Sequence, residues 1–584
     1  MKSFLNEEPV ETEAYALPDL SDTGNSYQAY IFGSTYGNTF PLPLPLDQIP
    51  LYWQLYKENC DRLVKVLHIP TIEPLILQAA TQPNGISKRL ETLINAVFFS
   101  AVVSLSPAEC LQFLGYEKQA LVRQYKYSTE QALARASFLE TEEMMVLQAF
   151  VIFLTSLRTH CSTRLIWTLT ALAVRIAQNA GIHRDGTHFN LPPFQVEMRR
   201  RLWWNICILD SRASEDCGYD PAIRTNSVST QMPLNVNDDD LFPNMKKFPR
   251  PRIGYTEMTC SLVRFEGARS FPRLHYVGLV GTSQADSNLQ ARKQLTENGA
   301  WIKACQERLE KLCLRHSDLT DPFQWYIAAI SRIVLIKMWL VAYQPHLRRN
   351  NCIILPEKTK DRLFIAAIEN LEYWLLLNSD KRTSGWAWLC ETYVQWYALT
   401  FLLQELCTRT QGEIVDRAWI AVNAALKFGL KSLPGSSWES NNGLDPGLNL
   451  IEAHCDAYKP LSGLLSKASS ARARALAQDE NGSDSQDSGF MQPAANSQVP
   501  TLGFQSGNSS LPYLGFNHFS PESCIANTET LDLLQHHLEN WEPTNEEEQV
   551  LETSYAESNN DPSAWTAWQA YPEAYGLGPG NTIW

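Results

Sequence analysis

The sequence predicts an all-α protein with a large multi-helix body. Long segments place apolar residues at the three- and four-residue spacing of one helix face, and little alternating, β-branched sequence separates them. The 584 residues are 44% hydrophobic and include 17 Trp, which provides enough apolar surface for a substantial core. We therefore expect one or two helical domains with polar flanking segments.

Residues 1–45 are expected to form a disordered leader. They are rich in acidic residues, Pro, Gly, Ser and Tyr, and lead into the run Pro41-Leu-Pro-Leu-Pro-Leu46. Repeated proline cannot continue a helix, because each proline removes a backbone donor. The helical body is predicted to follow over residues 46–470.

Helix patterns are clear in the first half of the body. Gly181 ends one pattern where a left-handed C-cap is needed. Pro192 and Pro193 suit the entry to the next helix, Glu197–Ser211, whose second half is apolar on nearly every side. We expect that helix to be central and buried. The apolar stripes before it are Leu90, Leu93, Ile94, Val97, Phe98 and Ala101, then Leu147, Phe150, Val151 and Leu154, then Leu165, Leu169, Leu172 and Ile176.

The second half of the body carries further helix patterns. We predict helices at Phe323–Ala342, Asp361–Leu377, Trp386–Leu406 and Arg417–Leu430. Charged or polar residues interrupt the longest apolar stretches before they reach the ~20 residues that a bilayer span requires. No transmembrane helix and no membrane partner are therefore expected.

From about Ser466 the composition turns to Ala, Ser, Asn, Gln, Asp and Gly without apolar periodicity, which predicts a disordered tail over residues 471–584. Residues 479–584 contain 16 Asp or Glu and no Lys or Arg. Since the whole chain carries −14, the tail carries −16 and the remainder carries +2. A body so close to neutral gives no support for tight phosphate binding, and direct DNA binding is not expected.

The 13 cysteines do not form a metal-binding pattern. They are scattered, no CxxC occurs, and the closest pair is eight residues apart, Cys305 and Cys313. With an odd cysteine count and no apolar signal sequence after Met1, we expect reduced thiols inside the cell. No cofactor is expected.

Several motifs together resemble the signature of the fungal-specific transcription factor domain. They are Gly181-Ile-His-Arg-Asp185, Glu197-Met-Arg-Arg-Arg-Leu-Trp-Trp204, Asp210, Ser214, Gly218 and Pro233-Leu-Asn-Val-Asn-Asp-Asp239. The resemblance extends from Leu67-His-Ile-Pro-Thr71 to the Trp and Leu positions of 386–406, so it covers most of residues 46–460.

The resemblance implies a nuclear regulator of RNA polymerase II transcription. The family is usually the regulatory middle region of Zn2Cys6 factors, whose separate module binds two zinc ions through clustered thiolates. This sequence departs there, because Cys60 is its only cysteine before residue 110. Two versions stay open: a regulator without its own DNA-binding module, or part of a complete zinc-cluster activator, in which case zinc is expected. A homodimer, or a heterodimer with another transcription factor, is the expected assembly.

We expect structural roles for the signature residues. One guanidinium of Arg199, Arg200 and Arg201 is expected to point inward and pair with Asp210 or Asp185. Trp203 and Trp204 are expected to fill core volume. An effector contact by these side chains is the alternative. The complete set is Gly181, His183, Arg184, Asp185, Arg199, Arg200, Arg201, Trp203, Trp204 and Asp210.

Two short segments resemble motifs of enzymes. The segment His183-Arg-Asp-Gly-Thr-His-Phe-Asn190 matches the catalytic loop of protein kinases, but the Gly-rich phosphate loop and the D-F-G metal site are missing. A helical terpene cyclase is the alternative suggested by Asn237-Asp-Asp-Asp-Leu241. The positions four after Asp238 and Asp239 are Phe242 and Pro243, which cannot add a magnesium ligand. We predict no enzyme and no catalytic residues.

The acidic tail is predicted to be an activation segment that binds a coactivator. Its Leu and aromatic clusters lie beside acidic residues, which would keep them solvated and available to a partner groove. An inert solubilising tail is the alternative. The body also contains a short basic cluster, Lys246-Lys-Phe-Pro-Arg-Pro-Arg252, which is either a nuclear import signal or a solvated loop. The expected activation residues are Leu534, Leu538, Trp541, Trp565 and Trp568.

Overall fold

The structure is a computed structural model that describes residues 46–82, 85–223, 229–274, 284–344, 355–431 and 459–483. Within these ranges all regular structure is helical and no strand occurs, which confirms the all-α class. The chain divides into two compact units, Met1–Arg269 and Ser270–Trp584. The predicted leader and residues 484–584 of the predicted tail lie outside the described residues, so both stay predictions.

Unit 1 contains most of the family-like motifs. A π-helical turn, Lys57–Asp61, extends its first helix, and a second one, Cys110–Leu114, follows a short helical turn at Pro107–Glu109. Shorter 3-10 turns lie at Leu46–Gln48, Phe138–Glu140, Gly186–Phe189 and Asp238–Asp240. The main helices are α1 Ile49–Tyr56, α2 Ile69–Thr81, α3 Lys88–Ser104, α4 Lys118–Arg135, α5 Met144–Leu157, α6 Thr163–Asn179 and α7 Pro193–Cys217. Helix α8, Thr259–Leu274, begins in unit 1 and ends in unit 2.

Helix α3 forms the centre of one part of this core. It packs against α1, α4 and α5, and every residue from Thr92 to Ser104 is buried. The ring of Phe98 stacks on Tyr52 at 4.1 Å, and the hydroxyl of Tyr125 donates to that of Tyr52 at 3.0 Å. A helix that is enclosed on all sides carries apolar residues around its whole circumference, and the sequence of α3 shows this pattern.

Helices α6 and α7 form the pair that positions the family-like motifs. Gly181 has a φ of +69°, and the amides of Gly181 and Ile182 donate to Gln178 and Ala177, which is the Schellman arrangement. The predicted glycine cap is therefore confirmed. Helix α7 begins at Pro193 as expected, but it continues six residues beyond Ser211 to Cys217.

The apolar stripe on α6 is only partly buried. Leu169 and Ile176 lie in the core, whereas Leu165 is 43% exposed and Leu172 is half-buried. The four residues share one helix face, but only two of them are covered by neighbouring helices. Spacing places residues on one face, but the width of the neighbouring helix decides how much of that face is covered.

Unit 2 contains the remaining helices. The predicted single helix Trp386–Leu406 is two helices, because the chain leaves helical geometry after Glu391. The carbonyl of Cys390 there accepts from the indole of Trp374 at 3.1 Å and from the amide of Tyr393 at 2.9 Å. The helices are α9 Gln284–Leu312, α10 Pro322–Tyr343, α11 Glu357–Ser379, α12 Ser384–Glu391, α13 Trp396–Leu406, α14 Glu413–Lys431 and α15 Lys459–Ser483, with 3-10 turns at Leu314–His316 and Lys381–Thr383.

Helix α10, Pro322–Tyr343, extends one residue beyond the predicted helix Phe323–Ala342 at each end. Its 22 residues are long enough to cross a bilayer by length and composition, and 78% of its most apolar window is buried in the structure. The apolar run itself stays below that length because Arg332 and Lys337 interrupt it, and a mostly buried apolar helix is typical of a protein core. Lys337, which interrupts the apolar run, is buried with its ammonium 4.6 Å from the ring centre of Phe271.

Helix α15 extends into the segment predicted to be disordered from residue 471. Its first turns bury Leu461, Leu464, Leu465 and Ala468, which lie at helical spacing and pack near α13. The helix then continues to Ser483 through a stretch rich in alanine. Alanine has the highest intrinsic helix propensity, so a composition that lacks apolar periodicity can still extend an anchored helix.

A buried carboxyl in α4 leads to a pH-dependent prediction. Glu130 is 5% exposed, its Oε2 accepts no hydrogen bond, and burial raises its pKa to about 7 despite Lys126 at 4.0 Å. A carboxyl whose folded-state pKa is raised lowers stability as pH rises from about 4.5 to about 7. We expect Glu130→Gln to stabilise unit 1 at pH 8 by at most about 3 kcal/mol, and much less at pH 5.

Urea unfolding of parent and variant at pH 5 and pH 8 measures this difference. The exposed Glu142→Gln is the matched control, for which no pH-dependent difference is expected. An equal shift of the Glu130→Gln midpoint at both pH values would show that Glu130 titrates normally.

Candidate functional site

The family-like motifs meet around the first half of helix α7. Three successive arginines at its start point to three different places, because consecutive residues on a helix are separated by about 100°. Arg199 donates to the carbonyl of Ala180, Arg200 pairs with Asp185, and Arg201 pairs with Asp238. This arrangement ties the loop after α6 and the 3-10 turn Asp238–Asp240 to one helix.

Asp185 is the centre of the first cluster. It is fully buried, and its carboxylate accepts from Arg200 Nε at 2.8 Å and Nη2 at 3.0 Å. It also accepts from the hydroxyl of Thr187 at 2.7 Å and from the amide of Gln231 at 3.0 Å. Burial alone would raise the pKa of Asp185, but Arg200 and these donors hold it well below its usual value. The carboxylate therefore stays ionised.

Gly186 allows this cluster to pack closely. A Cβ atom at Gly186 would lie 3.0 Å from the Cγ2 atom of Val196 on α7. Any larger residue at this position would therefore require Val196 or the loop to shift by a few tenths of an ångström. The close approach brings Asp185 within reach of Arg200.

Arg201 is the centre of the second cluster. Its side chain is completely buried, with Nη1 2.7 Å from Asp238 Oδ1 and Nε 3.4 Å from Glu197 Oε1. Glu197 is itself fully buried and accepts from the amide of Leu234. Burial raises the pKa of Glu197, although Arg201 and the amide of Leu234 oppose that shift. The two carboxylates thus share one guanidinium.

Lys65 extends the second cluster toward the N-terminal helices. Its ammonium lies 2.6 Å from Asp61, 2.9 Å from Asp238 and 3.4 Å from Glu257. Burial raises the pKa of Asp61 to about 6, although Lys65 lowers it. Asp238 has a lowered pKa, because Arg201 and Lys65 outweigh the effect of its burial. We call Asp61, Lys65, Glu197, Arg201 and Asp238 the buried ion cluster, and the exposed Glu257 lies at its edge.

Asp238 also fixes the start of helix α2. Its Oδ2 accepts from the amide of Ile69 at 2.9 Å, and its carbonyl lies 3.0 Å from His68 Nε2. The other ring nitrogen of His68 lies 3.1 Å from the hydroxyl of Thr71. The motif Leu67-His-Ile-Pro-Thr71 therefore contacts the motif that ends at Asp239 directly, through Asp238.

Two predictions about the signature side chains need correction. Two guanidiniums point inward instead of one, since Arg200 and Arg201 are both buried. Trp203 is fully buried as predicted, but Trp204 is only half-buried and its indole donates to the carbonyl of Gln231 at 2.9 Å. Trp204 lies at the edge of the core because its polar N–H takes a backbone partner there.

Asp210 is buried as expected but pairs with no arginine in the described residues. Its carboxylate accepts from the amides of Ala222 at 3.2 Å and Ile223 at 2.7 Å. Burial raises the pKa of Asp210, and these two amides partly offset the shift. Asp210 lies more than two helical turns beyond Arg201, too far along α7 to be its partner. Of the two partners expected for the inward arginine, the structure therefore pairs Asp185 with Arg200, and the alternative, Asp210, is wrong.

Because Asp210 has backbone partners and no cation partner in the described residues, we expect its removal to have a moderate effect on stability. We expect Asp210→Ala to lower the free energy of unfolding by about 1–3 kcal/mol, because two amides lose their acceptor while no cation is left unpaired. Faster amide exchange at Ala222 and Ile223, with a modest shift of the urea midpoint, is the expected measurement. A loss as large as that of a broken buried ion pair would show that Asp210 neutralises a cation after all.

The remaining signature residues do not form a catalytic arrangement in the described part of the chain. Gly181 caps α6, His183 is half-buried near Trp203, and Arg184 is exposed. Asp185 is saturated by Arg200 and backbone donors, so it cannot accept a substrate proton as a kinase aspartate does. Within the described ranges, no group of His, Cys, Asp or Glu is arranged to bind a metal ion.

The aspartate-rich segment is also committed to internal contacts. Asp238 belongs to the buried ion cluster, and Asp240 accepts two hydrogen bonds from Arg252, at 2.6 and 2.8 Å. Asp239 alone of the three is exposed. This pairing opposes the terpene-cyclase alternative, which needs several free carboxylates on one face.

Sequence reasoning missed Asp61, Lys65 and Asp238 as members of the site. Asp238 lies inside a motif that had been recognised, but nothing in the motif indicates its partner. Asp61 and Lys65 are four residues apart between apolar residues, and that spacing is the one local signal for an inward ion pair. The five expected activation residues, from Leu534 to Trp568, lie outside the described residues.

Comparisons with known proteins match the same region. Residues 49–284 match the family described as "Fungal specific transcription factor domain". The chain is similar to the aurofusarin cluster transcription factor aurR2 of Gibberella zeae, with 32% identity over 64% of this chain and 55% of that protein. It is also similar to pyriculol/pyriculariol biosynthesis cluster transcription factor 1 of Pyricularia oryzae, with 29% identity over 72% of this chain and 57% of that protein.

A further relative carries a zinc-cluster name. The C6 finger domain transcription factor adaR of Aspergillus niger is 28% identical over 64% of this chain and 49% of that protein. The chain thus spans about half the length of the curated relatives it matches. All motifs from residue 67 to residue 239 fall within the matched region.

Proposed function

We propose that this chain regulates transcription by RNA polymerase II in the nucleus, because residues 49–284 match the fungal specific transcription factor domain family. The observation that supports this proposal is that the motifs of the matched region pack around α7 and are joined to it by buried ion pairs. Such buried ion pairs favour one arrangement of the segments, and Asp61 Oδ1 and Arg201 Nη2 are the atoms of the buried ion cluster that have no hydrogen-bond partner among the described residues. The body is thus a regulatory scaffold, and we propose no enzymatic reaction for it.

DNA contact is assigned to another module. The described helices carry no clustered thiolates, and the sequence outside the acidic tail is close to neutral. A zinc cluster, on this polypeptide or on a partner, would supply the cations and the base contacts that specific binding needs. Homodimers, or heterodimers with another transcription factor, would bring that module to DNA.

The acidic segment beyond the helices is proposed to activate transcription. Residues 520–584 contain 12 Asp or Glu and no Lys or Arg, and their Leu and Trp residues lie among these charges. Charge repulsion disfavours collapse, so the apolar side chains stay available to a coactivator groove. An inert solubilising segment is the competing interpretation.

A transferred segment tests the activation proposal directly. Residues 520–584 fused to an unrelated DNA-binding module should raise reporter output, and the five predicted residues should carry most of that effect. A silent fusion with confirmed nuclear expression would reject the proposal. The test variant replaces Leu534, Leu538, Trp541, Trp565 and Trp568 with Ala, and the matched control replaces Gln535, Asn540, Gln549, Asn559 and Gln569 with Ala.

A further inference from the structure

One surface of unit 1 combines unpaired cations with exposed aromatic rings. Residues 241–255, here called the basic loop, connect the 3-10 turn Asp238–Asp240 to helix α8. The loop contains Lys246, Lys247, Arg250 and Arg252 and no acidic residue. Arg252 pairs with Asp240, whereas the other three cations are exposed and form no ion pair within the described residues. Three uncompensated positive charges therefore face solvent.

Apolar groups lie directly beside these charges. Phe242 is 57% exposed and Phe248 is 38% exposed, and Phe189 projects from the neighbouring 3-10 turn at 49% exposure. Between that turn and the basic loop lies an open groove of about 600 Å³, which Lys246 and several proline side chains line. A single exposed ring is common on protein surfaces, whereas several apolar groups together, bordered by charges, are typical of an interaction site.

The basic loop is held in place by the rest of unit 1. The side-chain amide of Asn235 donates to the carbonyls of Arg252 and Gly254 at 2.9 and 2.8 Å. The guanidinium of Arg200 lies 5.3 Å from the ring centre of Phe248. A surface that is already ordered loses little conformational entropy when it binds a partner. The basic loop is therefore better suited to bind a partner than a mobile charged loop, which would lose more conformational entropy on binding.

We propose that the basic loop and its groove bind the chain's own acidic segment, residues 520–584. The segment is complementary in both respects: its 12 carboxylates match the exposed cations, and its Leu and Trp side chains match the apolar groove. Residues 484–519 connect the segment to helix α15 and span about 120 Å when fully extended, so the segment can reach a wide volume around its own chain. This binding does not require the segment to activate transcription.

Nucleic acid is the less favoured occupant. Phosphate backbones also attract lysine and arginine, and bases can stack on aromatic rings. The sequence up to residue 478, however, carries only +2, whereas non-specific nucleic-acid binding depends on many cations along a groove. The acidic segment has the additional advantage of a high effective concentration, because it is part of the same chain.

Zero-length carbodiimide cross-linking of the full chain tests this inference. Residues 520–584 contain no lysine, so every isopeptide bond between one of their carboxylates and a lysine elsewhere reports a contact of that segment. We expect Lys246 and Lys247 to dominate these bonds, with little at the exposed Lys88. The bonds should be lost in 1 M salt, where the Debye length falls to about 3 Å. Bonds spread evenly over exposed lysines would overturn the proposal.

A variant that keeps both lysines separates binding from reactivity. Arg250→Glu with Phe242→Ala should abolish the enrichment at Lys246 and Lys247. The matched control, Arg123→Glu with Tyr116→Ala, changes an exposed arginine and an exposed aromatic residue of the same unit and should retain it. Both variants should unfold at the parent's urea midpoint. If the double variant unfolds early, Arg250→Glu alone provides the test.

Two further outcomes would contradict the inference. Bonds that join isotopically light and heavy chains in a mixed sample would assign the segment to a second copy. A loss of duplex DNA binding in the Arg250→Glu, Phe242→Ala variant, with unchanged cross-links, would assign the surface to nucleic acid. A silent reporter fusion would leave the cross-linking result untouched, so failure of the activation proposal and failure of this one are distinguishable.

Discussion

Arg201→Met is expected to lower the free energy of unfolding of unit 1 by about 3–5 kcal/mol. Arg201 is completely buried between Asp238 and Glu197, so its removal leaves those carboxylates in the core without their shared cation. Lys65 still neutralises part of the charge on Asp238, but it forms no ion pair with Glu197. A neutral side chain of similar length keeps the packing, so the loss measures mainly the missing charge.

The pH dependence of this loss identifies its cause. Without Arg201, the pKa of Glu197, already raised by burial, should rise further. A carboxyl with a raised folded-state pKa takes up a proton on folding, and its destabilising effect disappears as pH falls toward the unfolded value. The deficit of Arg201→Met should therefore be smaller at pH 5 than at pH 8.

Urea unfolding followed by tryptophan fluorescence measures the midpoint, and amide exchange over residues 193–217 assigns the change to α7. Arg199→Met is the matched control, since Arg199 is half-buried and donates to the carbonyl of Ala180 without a carboxylate partner. We expect the control to cost about 1 kcal/mol. Equal midpoints for Arg201→Met and the parent would mean that Arg201 is not the buried counter-ion described here.

Asp185→Asn is expected to cost about 3 kcal/mol. The asparagine keeps one acceptor oxygen, but its amide group would face the donors of Arg200 and leave that buried guanidinium without a carboxylate. Because the pKa of Asp185 is lowered, its contribution is complete above its unfolded value and is lost as pH falls toward the folded value. The difference between variant and parent should therefore shrink in strong acid.

Thr187→Val provides the control for Asp185. It removes the 2.7 Å hydroxyl bond to Asp185 and keeps the pair with Arg200, so we expect a loss of about 1 kcal/mol. Urea midpoints at pH 7 and pH 3 give the comparison, because pH 3 lies below the ordinary pKa of an aspartate. If Thr187→Val and Asp185→Asn cost the same, the ion pair with Arg200 adds nothing beyond a neutral hydrogen bond.

The helical class, the α6–α7 pair and the burial of Trp203 were predictable from the sequence, because they depend on local features. Apolar spacing reports which residues share a helix face, and Gly181 reports where the chain must adopt a left-handed conformation. The partners of buried charges were not predictable in this way. Arg201 could have paired with any aspartate of the motifs, and the sequence contains no measure of which segment lies against α7.

The all-α class, several of the helices, the inward direction of at least one arginine and the charge contrast between body and tail follow from the sequence alone. The partners of the buried charges follow from helix packing: Arg200 pairs with Asp185, Arg201 and Lys65 share Asp238, and Asp210 binds backbone amides. The physical reason is distance along the chain: Lys65 and Asp238 are 173 residues apart, and they come together only because helix packing places both segments against α7. The local sequence pattern indicates which side chains face the core, whereas the packing of distant segments determines which partners those side chains contact.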